Sequence, residues 1–385
     1  MRRDARGRPG GGIRGRGPAM IRALLVDDEP PARARLRALL AELGGVQIIG
    51  EAGDADEARA AIAAHRPDVV FLDIEMPVTS GTHLAASLPE PRPFIVFATA
   101  FDRFALEAYQ HDAADYLLKP ITRRRLAQTL SRLRGRLGDR SELEREMADA
   151  THAQSHLLPR ALHAVQGYDC AAATLPAHGV GGDFYDLVAT GHGRVAALLG
   201  DVSGKGAAAG LVASAVQARL HTAARHAAGD AAALLAGING DVYLTTDGAR
   251  YASLIFAQVD TTSGALACVN AGHLPALIAR ASGRVDWLDS TGPAIGMLPA
   301  ATFTMHHTAL DPGDSLVCYS DGVTEALSER DEEFGAARLA AMAGAGLTES
   351  AATLCRAIID AVRMHRGSRQ RQDDVTVLVM RRNRT

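Results

Sequence analysis

Aspartates flanked by glycines are the first residues in this sequence with a recognisable chemistry. Asp183 in GVGGDFYD and Asp201 in GDVSGKG each adjoin glycines that let the backbone turn tightly beside a ligand. The strand-like run FYDLV follows the first and RVAALLG precedes the second. Short loops at such strand ends can bring two carboxylates together. Bare carboxylates in contact repel, and one takes up a proton at neutral pH unless a divalent cation lies between them. Mg²⁺ or Mn²⁺ suits such an all-oxygen site. Asp and Gly also favour turns without any ligand, so the pair alone leaves both readings open. Further acids downstream favour the metal. Asp321 in YSDGVTEA follows one apolar run, and Asp373 with Asp374 in RQDDVTVLV precedes another.

A second set of acids lies near the N-terminus. Asp27 and Asp28 close the first apolar run after Met20, and Asp73 closes the third. Thr99 ends the fourth, and Lys119-Pro120 ends the fifth. Three acids at one edge again call for Mg²⁺, and a lysine can balance an incoming phosphoryl group. Acids that merely cap loops would account for any one of these positions, but poorly for all five.

The elements that must position these residues follow from the patterning. The runs IRALLV, VQIIGEA, VVFLDI, FIVFAT and DYLL alternate with helix-like segments near 31–43, 55–65, 81–88, 102–111 and 122–137. Five βα units predict a doubly wound parallel sheet with its site at the carboxyl ends of the strands. VDDEP, FLDIEMP, FATA and YLLKP together resemble the receiver domain of two-component response regulators, a flavodoxin-like five-stranded α/β fold. The resemblance implies that Asp73 accepts a phosphoryl group from a sensor histidine kinase as an acyl phosphate. Asp27, Asp28, Asp73 and the Glu75 carbonyl would then hold one Mg²⁺. Lys119 would contact the phosphoryl group, with Thr99 and Tyr116 as the switch pair.

Residues 121 to 160 read as a helical connector. Leu126, Leu130, Leu133 and Leu137 form one seam, and Leu143, Met147, Ala150, Gln154 and Leu157 form a second. The six-residue step between them predicts a break near Gly138. The seams suit a two-stranded coiled coil and hence a homodimer through this helix; a helix lying on its own domain is the competing reading. Beyond it, strand-like runs recur at YDCAAATL, RVAALLG, YASLIFAQVD, ALACVNAG, PALIAR, FTMHHTAL, DSLVCYS and DVTVLVM. Helical stretches near 206–228, 230–245 and 348–365 complete a predicted α+β sandwich covered by helices. The expected domains are a disordered Arg/Gly-rich tail at 1–19, with Met20 an alternative start, a receiver at 20–137, a linker at 138–160 and an output domain at 161–382.

GGDFYD, GDVSGKG, NAGHLP, GPAIGM, YSDGVTEA and DDVT, in that order, resemble the PPM-type (protein phosphatase 2C class) serine/threonine phosphatases of the SpoIIE/RsbU-like branch. By that resemblance Asp201 bridges two Mn²⁺ or Mg²⁺ ions, with the Val202 carbonyl as a further ligand. Asp321 and Asp373 complete one ion, and Asp183 serves the other directly or through water. The choice of Asp373 over Asp374 rests on matching the first acid of DDVT. Such ions, about 3.5–4 Å apart, acidify a bridging water and clamp the phosphoryl oxygens. The implied substrate is a phosphoserine or phosphothreonine of an anti-sigma-factor antagonist. No phosphate-gripping arginine can be assigned, and Lys205 is the nearest cation in the motifs. His273 in NAGHLP is expected to shape a turn. His306 and His307, adjacent in a strand, point to opposite faces and cannot share an ion. GGDFY lacks the final acid of a diguanylate cyclase GGDEF motif. GDVSGKG has the wrong spacing for a P-loop.

Composition agrees with a globular chain of two domains, 385 residues long and with net charge −3. The balance argues against a nucleic-acid partner. Four separated cysteines suit a reducing, cytoplasmic compartment, and no apolar run reaches membrane-spanning length. Of 41 basic residues only Lys119 and Lys205 are lysines, and both sit inside motifs.

Overall fold

The computed structural model describes residues 20–100, 113–159, 162, 164–177, 179–191, 193–226, 230–246, 248–369 and 371–384. Two compact units divide between Glu144 and Arg145.

In the first unit β1 (Ile21–Val26), β2 (Val46–Ala52), β3 (Val69–Asp73), β4 (Phe94–Thr99) and β5 (Asp115–Leu118) form one parallel sheet in the order β2-β1-β3-β4-β5. This is a doubly wound topology, and its strand ends converge where the order reverses. The strand β3 is buried along its whole length, as expected when helices cover both faces. The helices are α1 (Pro30–Leu43), α2 (Ala55–His65) and α3 (Gly81–Ser87). The Asp54 carboxylate starts α2 by accepting from the amides of Asp56 and Glu57. The helix expected near 102–111 lies outside the described residues.

The connector is one helix, α4 (Arg123–Leu157), and the predicted break of register near Gly138 falls within it. Its first seam is not an exposed dimer stripe. Leu126, Leu130 and Leu133 are fully buried in the core of their own unit, beside Leu36, Leu40 and Phe71. The second seam differs: Leu143 and Leu157 are 60% and 59% exposed.

The second unit is a four-layer sandwich. One antiparallel sheet runs β13-β10-β9-β8-β7, built from β7 (Phe184–Gly191), β8 (Arg194–Val202), β9 (Ala252–Asp260), β10 (Ala265–Ala271) and β13 (His306–Ala309). The other runs β12-β11-β14-β15-β6, from β6 (Tyr168–Leu175), β11 (Ala276–Ala279), β12 (Val285–Leu288), β14 (Ser315–Tyr319) and β15 (Val375–Arg382). Alternate residues such as Leu187, Leu199, Ile255, Leu316 and Leu378 fill the space between the sheets. The outer face of the first sheet is covered by α5 (Ala207–His226) and α6 (Ala231–Thr246). The outer face of the second is covered by α8 (Ala336–Ala345) and α9 (Ala351–Arg366), with the short α7 (Asp321–Thr324) between strand and cover. Among these, β12 and α8 had no counterpart in the sequence reading, and the run at 303–310 is strand only over four residues.

Candidate active site

Strand register decides which acids meet in the second unit. Phe184 of β7 pairs with Gly200 of β8, so Asp183, just ahead of β7, lies beside Asp201 near the end of β8. Tyr319 of β14 pairs with Val377 of β15, so Asp321 leaves its strand where Asp373 and Asp374 enter theirs. All five acids therefore stand at one end of the sandwich, drawn from both sheets. The second acid of GGDFYD does not join them. Asp186 is buried further along β7 and binds His221 of α5 at 2.7 Å, fastening helix to sheet.

Small residues make the approach possible. A Cβ on Gly182 would meet both Asp201 Oδ1 and the Val202 carbonyl at 2.8 Å. A Cβ on Gly322 would stand 2.0 Å from the Asp374 carbonyl. Hydroxyls then fix the acids. Thr376 donates to Asp183 from inside the core. Ser320 donates to the Asp374 carbonyl at 3.2 Å and accepts from the Thr376 amide at 2.9 Å. Asp374 takes the Ala177 amide at 2.7 Å. Asp373 is more open and holds Lys205 at 3.0 Å, while Lys205 also donates to the Gln372 carbonyl. Lys205 is thus tethered to the rim.

His273 does more than shape a turn. Its Nδ1 lies 2.7 Å from the Ser253 hydroxyl on β9, and its Nε2 donates to the Tyr319 carbonyl of β14 at 3.0 Å. It ties the two sheets together just behind Asp201 and Asp321. Burial lowers its pKa to about 4, so it stays neutral. A second tie comes from the connector. Gln154 of α4 clasps Gly181 through both amide groups, donating to its carbonyl at 2.7 Å and accepting from its amide at 3.0 Å. Neither role is visible in a motif, because each partner lies at a distance set by tertiary folding.

Electrostatics show what the cluster lacks. Burial, then the Asp201 charge, pushes the Asp183 carboxyl well above its usual range. Burial followed by Asp321, Asp373 and Asp374 raises Asp201 to about 7. Burial and Asp373 raise Asp321 to about 6. Converging carboxylates with a carbonyl among them form a donor set that fits hard divalent cations. Among the described residues these acids form no triplet with all ligand atoms within 4.8 Å of one another.

The first unit gathers its predicted residues more tightly. Carboxylate oxygens of Asp27, Asp28 and Asp73 lie within 4.8 Å of one another. Lys119 Nζ binds Asp27 and Asp73, each at 2.7 Å. Burial raises the Asp73 pKa and Asp27 adds to it, against the opposing pull of Lys119. The Glu75 amide donates to Asp73 at 3.3 Å. Thr99 is fully buried at the end of β4, and Tyr116, opposite Phe97, packs half-buried against one core layer.

Comparison with known proteins places both units. Residues 191–383 match the family described as Stage II sporulation protein E (SpoIIE). The chain belongs to the SpoIIE family. Residues 23–131 match the response regulator receiver domain. The transcriptional regulatory protein BtsR of Escherichia coli K12 is 53% identical over 116 residues, 30% of this chain and 48% of that one. The chain thus spans about half the length of the curated relatives it matches. The SiaA-PP2C domain of Pseudomonas aeruginosa shares the fold at 22% identity and TM-score 0.54, over 63% of this chain and 98% of that one. The PP2C phosphatase domain with a fragment of the regulatory domain of SpoIIE from Bacillus subtilis does so at 24% and 0.50, over 56% and 63%. The architecture is therefore a receiver joined to a PP2C-type sandwich.

Proposed function

We propose that this chain is a response regulator whose output is metal-dependent hydrolysis of phosphoserine or phosphothreonine in a partner protein, an anti-sigma-factor antagonist being the expected class. The observation that carries the reading is the convergence of five aspartates from both sheets on one end of the sandwich, with burial and mutual repulsion raising the carboxyls of Asp183, Asp201 and Asp321. Asp201 would be shared by two Mn²⁺ or Mg²⁺ ions with the Val202 carbonyl as a further ligand, Asp321 and Asp373 would complete one, and Asp183 would serve the other directly or through water. Bound ions would supply Lewis-acid charge to the phosphoryl oxygens and the attacking water. The protein's own part is to fix the carboxylates in place through Thr376, Ser320 and the His273 tie, while bound cations would keep them deprotonated. No side chain is positioned as a covalent nucleophile in this reading. The products are inorganic phosphate and a free hydroxyl on the partner.

In the receiver, Asp73 would take its phosphoryl group from a sensor histidine kinase, with Mg²⁺ on Asp27, Asp28, Asp73 and the Glu75 carbonyl. Lys119 would turn from the carboxylates to the phosphoryl oxygens, and Thr99 with Tyr116 would carry the change. A homodimer through Leu143, Met147, Ala150 and Leu157 is supported by the exposure of Leu143 and Leu157. Manganese-dependent release of phosphate from a phosphoserine protein tests the reading. Wild type should turn over and Asp201→Ala should not; equal release by both would end it.

A further inference from the structure

Beside the acid cluster opens a cavity of about 270 Å³ whose charged lining is Lys205, Arg366, Arg369 and Arg371 with Glu325 and Asp373. One of these arginines is anchored through its Nη1: Arg369 donates from it to the Ser328 carbonyl at 2.7 Å and to Asp331 at 2.6 Å. The other two are not. Nε of Arg366 and Nη1 of Arg371 are buried with no hydrogen-bond partner among the described residues. A buried charged donor without a partner costs more than a neutral one, and guanidinium cannot relieve the cost by losing its proton. Burial acts on Arg366 first, and the charges of Arg371 and Arg363 add to it in lowering its pKa. Arg363 itself is partnered by Asp360 at 3.2 Å. Two like charges held together in a cavity, with donors unused, are the complement of an oxyanion.

Lys205 and Glu325 line the same cavity and also act on Asp321, so the pair borders the place where the phosphoryl group would react. Burial leads the Asp321 shift, carboxylates of Asp373 and Glu325 add to it, and the cation opposing it is Lys205. The charges acting on Arg366 are those of other arginines. The cavity also shares Asp373 with the cluster, so a polypeptide presenting a phosphorylated residue to the acids would lay a neighbouring side chain in it.

We propose that Arg366 and Arg371 form a pocket that recognises an acidic side chain, Asp or Glu, close in sequence to the phosphorylated residue of the protein substrate. This specificity rests on the phosphatase reading above. Planar guanidinium groups bind carboxylate with two parallel hydrogen bonds, which ammonium cannot do. The inference also explains why an arginine-rich segment stands against an acidic site.

Two synthetic phosphoserine peptides test it, one with aspartates on both sides of the phosphoserine and one with asparagines there. Full-length protein in saturating Mn²⁺ should prefer the acidic peptide by roughly tenfold or more in kcat/KM, mostly through KM, as expected of charge-assisted pairs. In Arg366→Gln/Arg371→Gln the ratio between the peptides should fall to about one. The double Lys variant should recover part of it. If both peptides slow together and the ratio persists, the arginines serve the scissile phosphoryl group and the proposal is overturned. A binding arm needs no turnover: anisotropy of the unphosphorylated aspartate peptide should show tighter binding to wild type than to the Gln variant. Equal affinities overturn the pocket. Loss of affinity without hydrolysis by either protein would uphold the pocket and sink the phosphatase reading. Circular dichroism and the single Arg371→Gln variant separate a lost pocket from a lost fold.

Discussion

At the scale of single residues, the site depends on neutral groups that hold charged ones. Thr376 is buried, and its hydroxyl meets Asp183 while its backbone joins Ser320. Removing the hydroxyl leaves shape and β-branching intact, so Thr376→Val removes the bond to Asp183 together with the one to the Thr174 hydroxyl at 2.9 Å. Partners of this kind typically cost 10–100-fold in metal affinity when removed, and we expect Mn²⁺ activation to shift by about that factor with the fold unchanged. Activity measured against Mn²⁺ concentration checks it; an unaltered midpoint would mean Asp183 needs no such support. The raised carboxyls have a second consequence. With folded pKa values of about 7 for Asp201 and about 6 for Asp321, the metal-free fold keeps protons that the unfolded chain has released above about pH 4. Their contribution is complete below that pH and is lost as pH rises through 6 and 7. Without metal, the melting temperature should therefore fall between pH 5 and 8, and Mn²⁺ or Asp201→Asn should flatten the fall. A metal-free profile as flat as that of Asp201→Asn would contradict the shifts.

At the scale of elements, strand ends were more legible than helix surfaces. Asp201, Asp321 and Asp374 could be placed from the chain because each borders an apolar run and a turn, and antiparallel pairing does the rest. The parallel sheet was legible for the same reason, since wholly buried strands such as VVFLD read as continuous apolar runs. Helix α8, AARLAAMAGA, is only ten residues long and mostly alanine, and was missed. Leucine spacing in α4 showed a buried stripe but not what buries it: Leu126, Leu130 and Leu133 pack in their own unit. The arginine pair was invisible in a chain that uses arginine almost throughout. Nor does any pattern reveal that Gln154, in what reads as a coiled-coil seam, clasps Gly181 of the Asp183 loop. That clasp makes the end of α4 part of the site's support. Gln154→Leu keeps the helix and removes both hydrogen bonds. Hydrogen exchange of residues 179–183 should speed up at least severalfold, since two bonds contribute about 1 kcal/mol each. Unchanged exchange there would show that the loop is held by Val202 and Asp374 alone.

At the scale of the whole molecule, the question is what a phosphoryl group on Asp73 does to chemistry in the other unit. Phosphorylation adds about −1.5 to −2 charges at a carboxylate that already shares Lys119 with Asp27. Lys119 cannot satisfy both carboxylates and the new oxygens equally, so its bonds must redistribute, and Thr99 at the end of β4 is placed to respond. The receiver core includes the first half of α4, and the far end of the same helix holds the Asp183 loop through Gln154. Residues of this one helix therefore belong to both units. For a ligand-driven change to reach the output, the helix must favour different arrangements with and without the phosphoryl group. The expectation is a severalfold change in phosphatase turnover of wild type on adding a small-molecule phosphodonor, with no change in Asp73→Asn. Gln154→Leu should keep the phosphoryl uptake of Asp73 and lose most of the response. Equal turnover of wild type with and without the donor, at full Asp73 occupancy, would show that the two units work independently.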